Sequence, residues 1–170
     1  MVHTLSKLKA VLIVLAFATL TLMLAVPLQR ATAVSPRALP SIVDVAVASD
    51  DFTTLVAALQ CTGLDKLVSS NRQLTVFAPT DSAFADHGLD KDNVCGAFDT
   101  QTLSNILAYH VSPGQKYAVN VLNRKSVNML NRQLALVDAS VGTIANAPIS
   151  ATDIRVSNGV IHIIDKVMIP

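Results

Sequence analysis

Apolar residues in the first half of the chain have the spacing that one face of an α-helix produces. Three stretches show it: Ile42, Val45 and Ala46; Phe52, Leu55, Val56 and Leu59, after a cap at Asp50 or Asp51; and Leu103, Ile106, Leu107 and His110, after a cap at Asp99 or Thr100. Between the last two, the continuous apolar run 74–78 ends at Pro79 and predicts a buried strand. Thr80-Asp81-Ser82, just after this strand, supplies residues that cap helices, and Asp81 is expected to cap the short helical turn that follows.

The apolar period changes to two in the last third of the chain, which indicates strands. Leu134 and Leu136 alternate with their neighbours, and residues 141–145 and the segment from 149 onward continue the strand pattern. Residues 116–131 show no clear period. A chain with helices first and strands later favours the α+β class over alternating β/α units.

The clearest local signal is a hairpin in segment 154–164. Its two alternating runs meet at Asn158-Gly159, the dipeptide that best tolerates a two-residue turn. The predicted buried face consists of Val156 paired with Ile161 and Ile154 paired with Ile163. Arg155 and His162 then share the opposite face.

The N-terminal segment has the features of an export signal. Two lysines precede an uncharged apolar run at 10–26, and Ala31-Thr32-Ala33 has the small-x-small form of a signal-peptidase site. Residues 1–33 are therefore predicted to be a cleaved signal peptide, followed by a linker at 34–40. An uncleaved membrane anchor is the alternative, because the apolar run is slightly longer than most signal-peptide cores.

The two cysteines, Cys61 and Cys95, are predicted to form a disulfide, because export removes the chain from the reducing cytosol. They lie 34 positions apart. Closing a loop of this length stabilises a fold by about 3–4 kcal/mol in the chain-entropy model. Two buried free thiols are the alternative. The cysteines do not form the Cys-x-x-Cys motif of thiol oxidoreductases.

Composition and charge exclude several classes of function. A net charge of +1, no Trp and 4% aromatic residues provide neither the basic surplus nor the stacking platform of a nucleic-acid binder. No Gly-x-Ser-x-Gly, His-Glu-x-x-His or phosphate-binding glycine loop occurs, and all 12 acidic residues are Asp. The acidic loop with Asp86, His87, Asp90 and Asp92 lacks the closing Glu of a calcium-binding loop, so we expect it to be solvated. We therefore expect no enzyme activity, no metal and no cofactor.

Three blocks of sequence resemble the fasciclin domain family: LTVFAPTDSAF at 74–84, ILAYHV at 106–111 and NGVIHIIDKVMIP at 158–170. With the helices from Ser41 onward, the resemblance places a single fasciclin domain at 41–170. It implies an α+β fold, a fasciclin-like β-sandwich or β-wedge with several N-terminal and flanking helices. It further implies a non-enzymatic extracellular module used in cell adhesion, matrix organisation or surface attachment.

The resemblance also suggests where a partner would bind. In animal members of the family, a Tyr-His block and an Asp-Ile pair have been linked to integrin recognition. The matching positions here are Tyr109, His110, Asp153 and Ile154. Ala151-Thr152 differs from the context of the animal pair, and the chain has no Arg-Gly-Asp. The alternative is structural: a core histidine, a tyrosine at the rim of the core, a turn-organising aspartate and a buried isoleucine.

The leading hypothesis is an exported adhesion or matrix-binding module whose partner is a cell-surface or matrix protein or a glycan. Weak self-association is also expected, with no stable membrane insertion once the signal is cleaved. The expected location is secreted/extracellular, which includes the periplasm or cell wall of a bacterium. An extracellular carrier of an apolar small molecule such as a carotenoid or lipid is the first alternative, since some fasciclin-family proteins bind carotenoids. A secreted hydrolase is the second.

Overall fold

Helices occupy the first part of the described chain and strands the second, which confirms the predicted α+β class. A computed structural model describes residues 38–170, so the predicted signal peptide and most of the predicted linker lie outside the described residues. The helices are α1 (Ile42–Ala48), α2 (Thr53–Thr62), α3 (Asp65–Val68), α4 (Asp81–Ala85), α5 (Val94–Ala97), α6 (Thr100–Tyr109) and α7 (Ala118–Leu122), with a 3-10 turn (Asp50–Phe52) between α1 and α2. The strands are β1 (Leu74–Pro79), β2 (Val111–Pro113), β3 (Ser126–Asn128), β4 (Leu134–Asp138), β5 (Thr143–Ile144), β6 (Ala147–Val156) and β7 (Gly159–Ile164).

The seven strands are hydrogen-bonded in the order β2-β1-β7-β6-β5-β4-β3. The neighbouring strands β1 and β7 run parallel with Val76 opposite Ile161, and the remaining pairs are antiparallel. All six residues of β1 are buried. A strand buried on both faces reads as a continuous apolar run, and this is the pattern that predicted β1 from the sequence.

The hydrophobic core forms two clusters on opposite sides of β1. Val76 faces a cluster built mainly from the helices, and its members include Leu55, Leu59, Leu103, Leu107 and Ile161. Phe77 faces a second cluster of residues from α6, α7 and the later strands, and its members include Tyr109, Val121, Val127, Ile144 and Ile164. Neighbouring residues of β1 enter different clusters because successive side chains of a strand point to opposite faces. Among residues 38–170, no helix is both long and apolar enough to cross a bilayer.

The structure corrects two predicted helix caps. Thr80, not Asp81, caps α4, because its Oγ1 accepts a hydrogen bond from the Ala83 N–H at 3.3 Å. Asp81 instead caps the N-terminus of α2 from a distance: its Oδ1 accepts from the Thr54 N–H at 2.8 Å. Ser49 performs the local capping that was predicted for Asp50 or Asp51. A carboxylate that satisfies the free N–H groups of a remote helix joins two elements and is not visible in local sequence.

The C-terminal hairpin has the predicted faces but a different turn. Its two-residue loop is Ser157-Asn158, so Val156 pairs with Gly159 and Ile154 with Ile161. The register therefore differs by two residues from the prediction, and an even shift leaves every side chain on its predicted face. Gly159 lies within β7, where a Cβ would overlap the carbonyl oxygen of Leu74. Close approach of β1, not turn geometry, explains this glycine.

Asn158 fastens the hairpin to the helices. Its Oδ1 accepts a hydrogen bond from the Ile42 N–H at 2.9 Å, which anchors the start of α1. Its Nδ2 donates to the carbonyls of Val68 at 2.7 Å and Ser70 at 3.1 Å, at the end of α3. The side chain is buried, so all three contacts replace hydrogen bonds to water.

The predicted disulfide is present. Cys61 on α2 is bonded to Cys95 on α5, with their Cα atoms 6.1 Å apart. The bridge closes a loop across the helical layer, over the segment that contains β1 and α4. This confirms the pairing that the sequence predicts.

Replacing Asn158 by Ala is expected to lower the free energy of unfolding by about 3 kcal/mol, because buried backbone groups of Ile42, Val68 and Ser70 lose their partner. Urea denaturation measures the change. The matched control is Asn120→Ala on the exposed side of α7, which should cost less than about 0.5 kcal/mol. Equal losses in the two variants would contradict the role given to Asn158.

Candidate functional site

Tyr109 is a core residue at the end of α6. Its side chain is only 6% exposed and packs in the second cluster. The hydroxyl donates a hydrogen bond to the carbonyl of Leu134 on β4 at 3.2 Å. Burial raises the pKa of the Tyr109 hydroxyl. The ring therefore joins α6 to β4 and offers little surface to a partner.

His110 is also in the core, at 2% exposure. The Met168 N–H donates to Nε2 at 2.9 Å, so Nε2 is unprotonated. Nδ1 then carries the proton and donates to the Ile106 carbonyl at 2.8 Å. Burial lowers the pKa of His110 from 6.5 to about 4, against the opposing effect of the Ile106 carbonyl. The neutral ring ties the last residues of the chain to α6.

Asp153 exposes its side chain and lies inside β6, at an irregularity in the pairing with β7. Its φ is 62°, in the left-handed region. Oδ1 accepts from the Ala118 N–H at 2.7 Å, at the start of α7. Its own N–H donates to Nδ1 of His162 at 3.3 Å. Asp153 thus links β6, β7 and α7 while its carboxylate faces solvent.

Ile154 is half-buried against the helical cluster and pairs with Ile161. Of the four candidate positions, Asp153 is therefore the one that presents a polar group at the surface. Within residues 38–170, no hydrogen bond joins Tyr109 or His110 to Asp153 or Ile154. The structure does not assemble the four into one site.

His162 organises a surface that the sequence analysis does not single out. Its ring is 1% exposed and stacks on Phe77, with the centroids 5.3 Å apart. Because the Asp153 N–H donates to Nδ1, Nε2 carries the proton and donates to the Lys116 carbonyl at 2.8 Å. Burial lowers the pKa of His162, while the Lys116 carbonyl and the Asp153 charge act in the opposite direction. The neutral ring holds the loop before α7 against β6.

Cations gather on this loop and its neighbours. We call the residues Lys116, Tyr117, Arg124, Lys125 and Arg155 the α7 surface. The Arg155 guanidinium carbon lies 5.3 Å from the centroid of the Tyr117 ring, within the range of a cation–π interaction. The hairpin pattern predicts Arg155 on this side of the sheet. Residues 116–125 show no clear hydrophobic period, so the sequence does not predict that they lie beside Arg155.

An apolar cavity of about 100 Å³ lies between α1, α2 and the centre of the sheet. Its walls include Ile42, Phe52, Leu55, Val56, Val76 and Ile161. Gln60 and Asp65 are the polar side chains among the lining residues besides His110. A cavity with this lining suits an apolar ligand. In the part of the chain described, no group of three His, Cys or Asp side chains is arranged to hold a metal ion.

Residues 50–170 match the sequence model of the Fasciclin domain. The chain belongs to the fasciclin domain family. It is 33% identical to the uncharacterized protein sll1735 of Synechocystis over 133 residues, covering 77% of this chain and 98% of the relative. It is 32% identical to transforming growth factor-beta-induced protein ig-h3 of Sus scrofa, covering 76% of this chain and 19% of that protein.

A solved structure confirms the fasciclin fold. The chain is similar to a FAS1 domain pair from the insect cell adhesion molecule Fasciclin I, with a TM-score of 0.61 and 15% sequence identity. The match covers 78% of this chain and 52% of that one. At this identity the likeness shows the fold alone.

The buried histidine gives the fasciclin domain a pH-dependent stability. His110 binds fewer protons when folded, so its contribution is complete above pH 6.5 and is lost as the pH falls towards about 4. This difference corresponds to about 3 kcal/mol. His110→Gln should flatten the slope of unfolding free energy against pH in that window, measured by urea denaturation.

The matched control for this measurement is His87→Gln, which replaces an exposed histidine. It should leave the slope unchanged. A wild-type slope in His110→Gln would show that His110 does not titrate on unfolding.

Proposed function

We propose that this chain is an exported fasciclin-type module that works by binding, in cell adhesion or attachment to a matrix, and not by catalysis. The match of residues 50–170 to the Fasciclin domain carries this proposal. A relative named as induced by transforming growth factor-beta and a fold shared with an insect cell adhesion molecule support it. The partner is a cell-surface or matrix protein or a glycan.

Two features of the chain support export. Residues 1–33 have the arrangement of a cleaved signal peptide. The Cys61–Cys95 bond closes on the surface of the helical layer, where a reducing cytosol would attack it. A secreted location, including a periplasm or a cell wall, agrees with both.

Asp153 is the candidate residue through which a partner would be recognised. It is exposed, charged and held in one backbone conformation by Ala118 and His162. Tyr109 and His110 act as positioning residues, because they fix the strands and the C-terminal segment from inside the core.

Asp153→Asn is expected to reduce cell retention on the immobilised mature domain by about fivefold, because one charge is lost from the contact. Asn tolerates a positive φ and keeps an oxygen that can accept the Ala118 N–H. The matched control is Asp138→Asn, an exposed carboxylate hydrogen-bonded to Ser140 within its own turn. Urea denaturation checks that both variants keep the stability of the wild type.

Retention of cells by Asp153→Asn at the wild-type level would remove Asp153 from the contact. Failure of the wild-type domain to retain more cells than an unrelated secreted domain would overturn the adhesion proposal itself.

A carrier of an apolar small molecule is the second candidate function, favoured by the apolar cavity under α1. At about 100 Å³ it is somewhat smaller than an engineered cavity of about 150 Å³ that binds benzene. It would therefore hold a ring or the end of an aliphatic chain, and the rest of a longer lipid or carotenoid would lie outside it.

Val56→Phe places a larger side chain in the wall of this cavity and is expected to weaken binding of a fluorescent fatty acid about tenfold. Val47→Phe is the matched control, since Val47 on α1 is 63% exposed and is not part of the wall. Fluorescence titration measures both. Equal affinities would exclude the cavity as the lipid site, and a purified domain without extractable lipid or pigment would count against a carrier.

A further inference from the structure

Charge is distributed unevenly along the fasciclin domain. Residues 38–99 contain nine Asp against three Lys and Arg, and residues 100–170 contain six Lys and Arg against three Asp. The net charge of the chain hides this separation. One part of the domain is therefore acidic and the other is locally basic.

Four of the six cations of the basic part belong to the α7 surface. Lys116 precedes α7, Arg124 and Lys125 follow it, and Arg155 reaches it from β6 by stacking on Tyr117. Burial lowers the pKa of Lys116, and the positive charge of Arg124 lowers it further. The two residues lie on either side of the five-residue helix α7. Arg124, Lys125 and Arg155 are exposed.

The chain does not neutralise these cations. Within residues 38–170, the single ion pair joins Lys91 to Asp92, on the acidic part. Asp153 is the carboxylate nearest to α7, and it already accepts the Ala118 N–H. The Lys125 carbonyl accepts a hydrogen bond from the Val137 N–H on β4, and Asp138 is the next residue of that strand. The Asp138 carboxylate already accepts hydrogen bonds from the hydroxyl and the N–H of Ser140. Repulsion between neighbouring cations is thus left without an internal counter-charge.

Several acidic residues, by contrast, have structural roles. Asp44 completes the capping box of Ser41 at the start of α1, Asp99 caps α6, and Asp81 caps the remote helix α2. Caps of this kind explain why aspartates accumulate among the helices.

Around α7, Lys116 Nζ donates to the Pro113 carbonyl and Arg155 lies over Tyr117, and neither contact supplies a negative charge. Within residues 38–170 no carboxylate forms an ion pair with these four cations, so an external anion is the partner that their arrangement fits.

We propose that the α7 surface binds an anionic polysaccharide, one that carries carboxylate or sulfate groups along its chain. This inference rests on the proposed function and names the chemical class of a ligand for the cations around α7, a contact separate from the one proposed for the Asp153 carboxylate. Arginine forks match planar carboxylates and sulfate oxygens, and repeated anionic groups suit several separate cations. Asn120 and Asn123, exposed on α7 and at its end, provide amides for sugar hydroxyls, and the exposed Val119 provides an apolar contact.

The surface is rigid enough to select a ligand. His162 holds the Lys116 carbonyl and the Asp153 N–H, and Asp153 in turn holds the start of α7. The backbone at Lys116 and at the start of α7 is therefore held against β6 and β7. Preorganisation of this kind reduces the ordering cost of binding.

The test uses the mature domain and two probes, heparin for sulfate and polygalacturonate for carboxylate, with neutral dextran as reference. We expect at least one of the two anionic probes to bind. Its affinity should fall as the salt concentration rises from about 50 to about 300 mM, because screening weakens contacts between charges. Arg124→Gln/Lys125→Gln should weaken binding about tenfold or more. Arg155→Lys, which keeps the charge but loses the fork, should weaken it less.

The matched control is Lys66→Gln/Arg72→Gln, which removes the same charge from exposed positions of the acidic part. It should bind like the wild type. Equal losses in the two double variants, or no preference for either anionic probe over dextran, would overturn the proposal. So would salt-sensitive self-association, measured by sedimentation, that disappears in the α7 variant, because the partner would then be the acidic part of a second copy.

The cell-retention assay separates this inference from the proposed function. If Arg124→Gln/Lys125→Gln fails to bind either polysaccharide and also loses cell retention, both proposals are supported. If wild-type domain retains cells but binds neither probe, the anionic glycan is overturned and adhesion stands.

Discussion

The parallel pairing of β1 with β7 is the constraint on which the rest of the structure depends. Parallel strands have no tight turn to set their register, so the register must come from elsewhere. Here it comes from two adjacent residues. Asn158 accepts the Leu74 N–H on its carbonyl and bonds α1 and α3 through its side chain, while Gly159 lets Leu74 approach closely. These contacts of Asn158 and Gly159 fix the C-terminal hairpin, β1, α1 and α3 relative to one another.

The buried β1–β7 pair separates two sets of residues. Those in the core have structural roles, and those at the surface are accessible for contacts. The buried polar side chains on β1 and β7 have hydrogen-bond partners: Thr75 bonds Gly114, and His162 bonds Lys116 and Asp153. Within residues 38–170, no buried side-chain nitrogen or oxygen lacks a hydrogen bond. Burial in this core lowers the pKa of both His110 and His162. The groups left with unused bonding capacity are the exposed charges.

Sequence predicted those elements whose cause is local. The helical stripes, the buried run of β1 and the faces of the hairpin follow from side-chain periodicity, and the disulfide follows from the expectation that the chain is exported. The hairpin turn was wrong because the reason for Gly159 is a contact with Leu74, more than eighty positions away. The cap at Asp81 was wrong for the same reason, since its partner is a helix earlier in the chain. The α7 surface could not be predicted because only the fold brings Arg155 to Tyr117.

The two motif pairs that mark possible adhesion sites in the family carry different information about binding. Tyr109 and His110 hold β4 and the last residues of the chain, so substitutions there are expected to disturb the sheet whether or not a partner contacts them. A loss of function at these positions is therefore uninformative about contact. Asp153 and the cations around α7 lie outside the core, on backbone that the core fixes. Substitutions at these exposed positions therefore test the proposed recognition without disturbing the core.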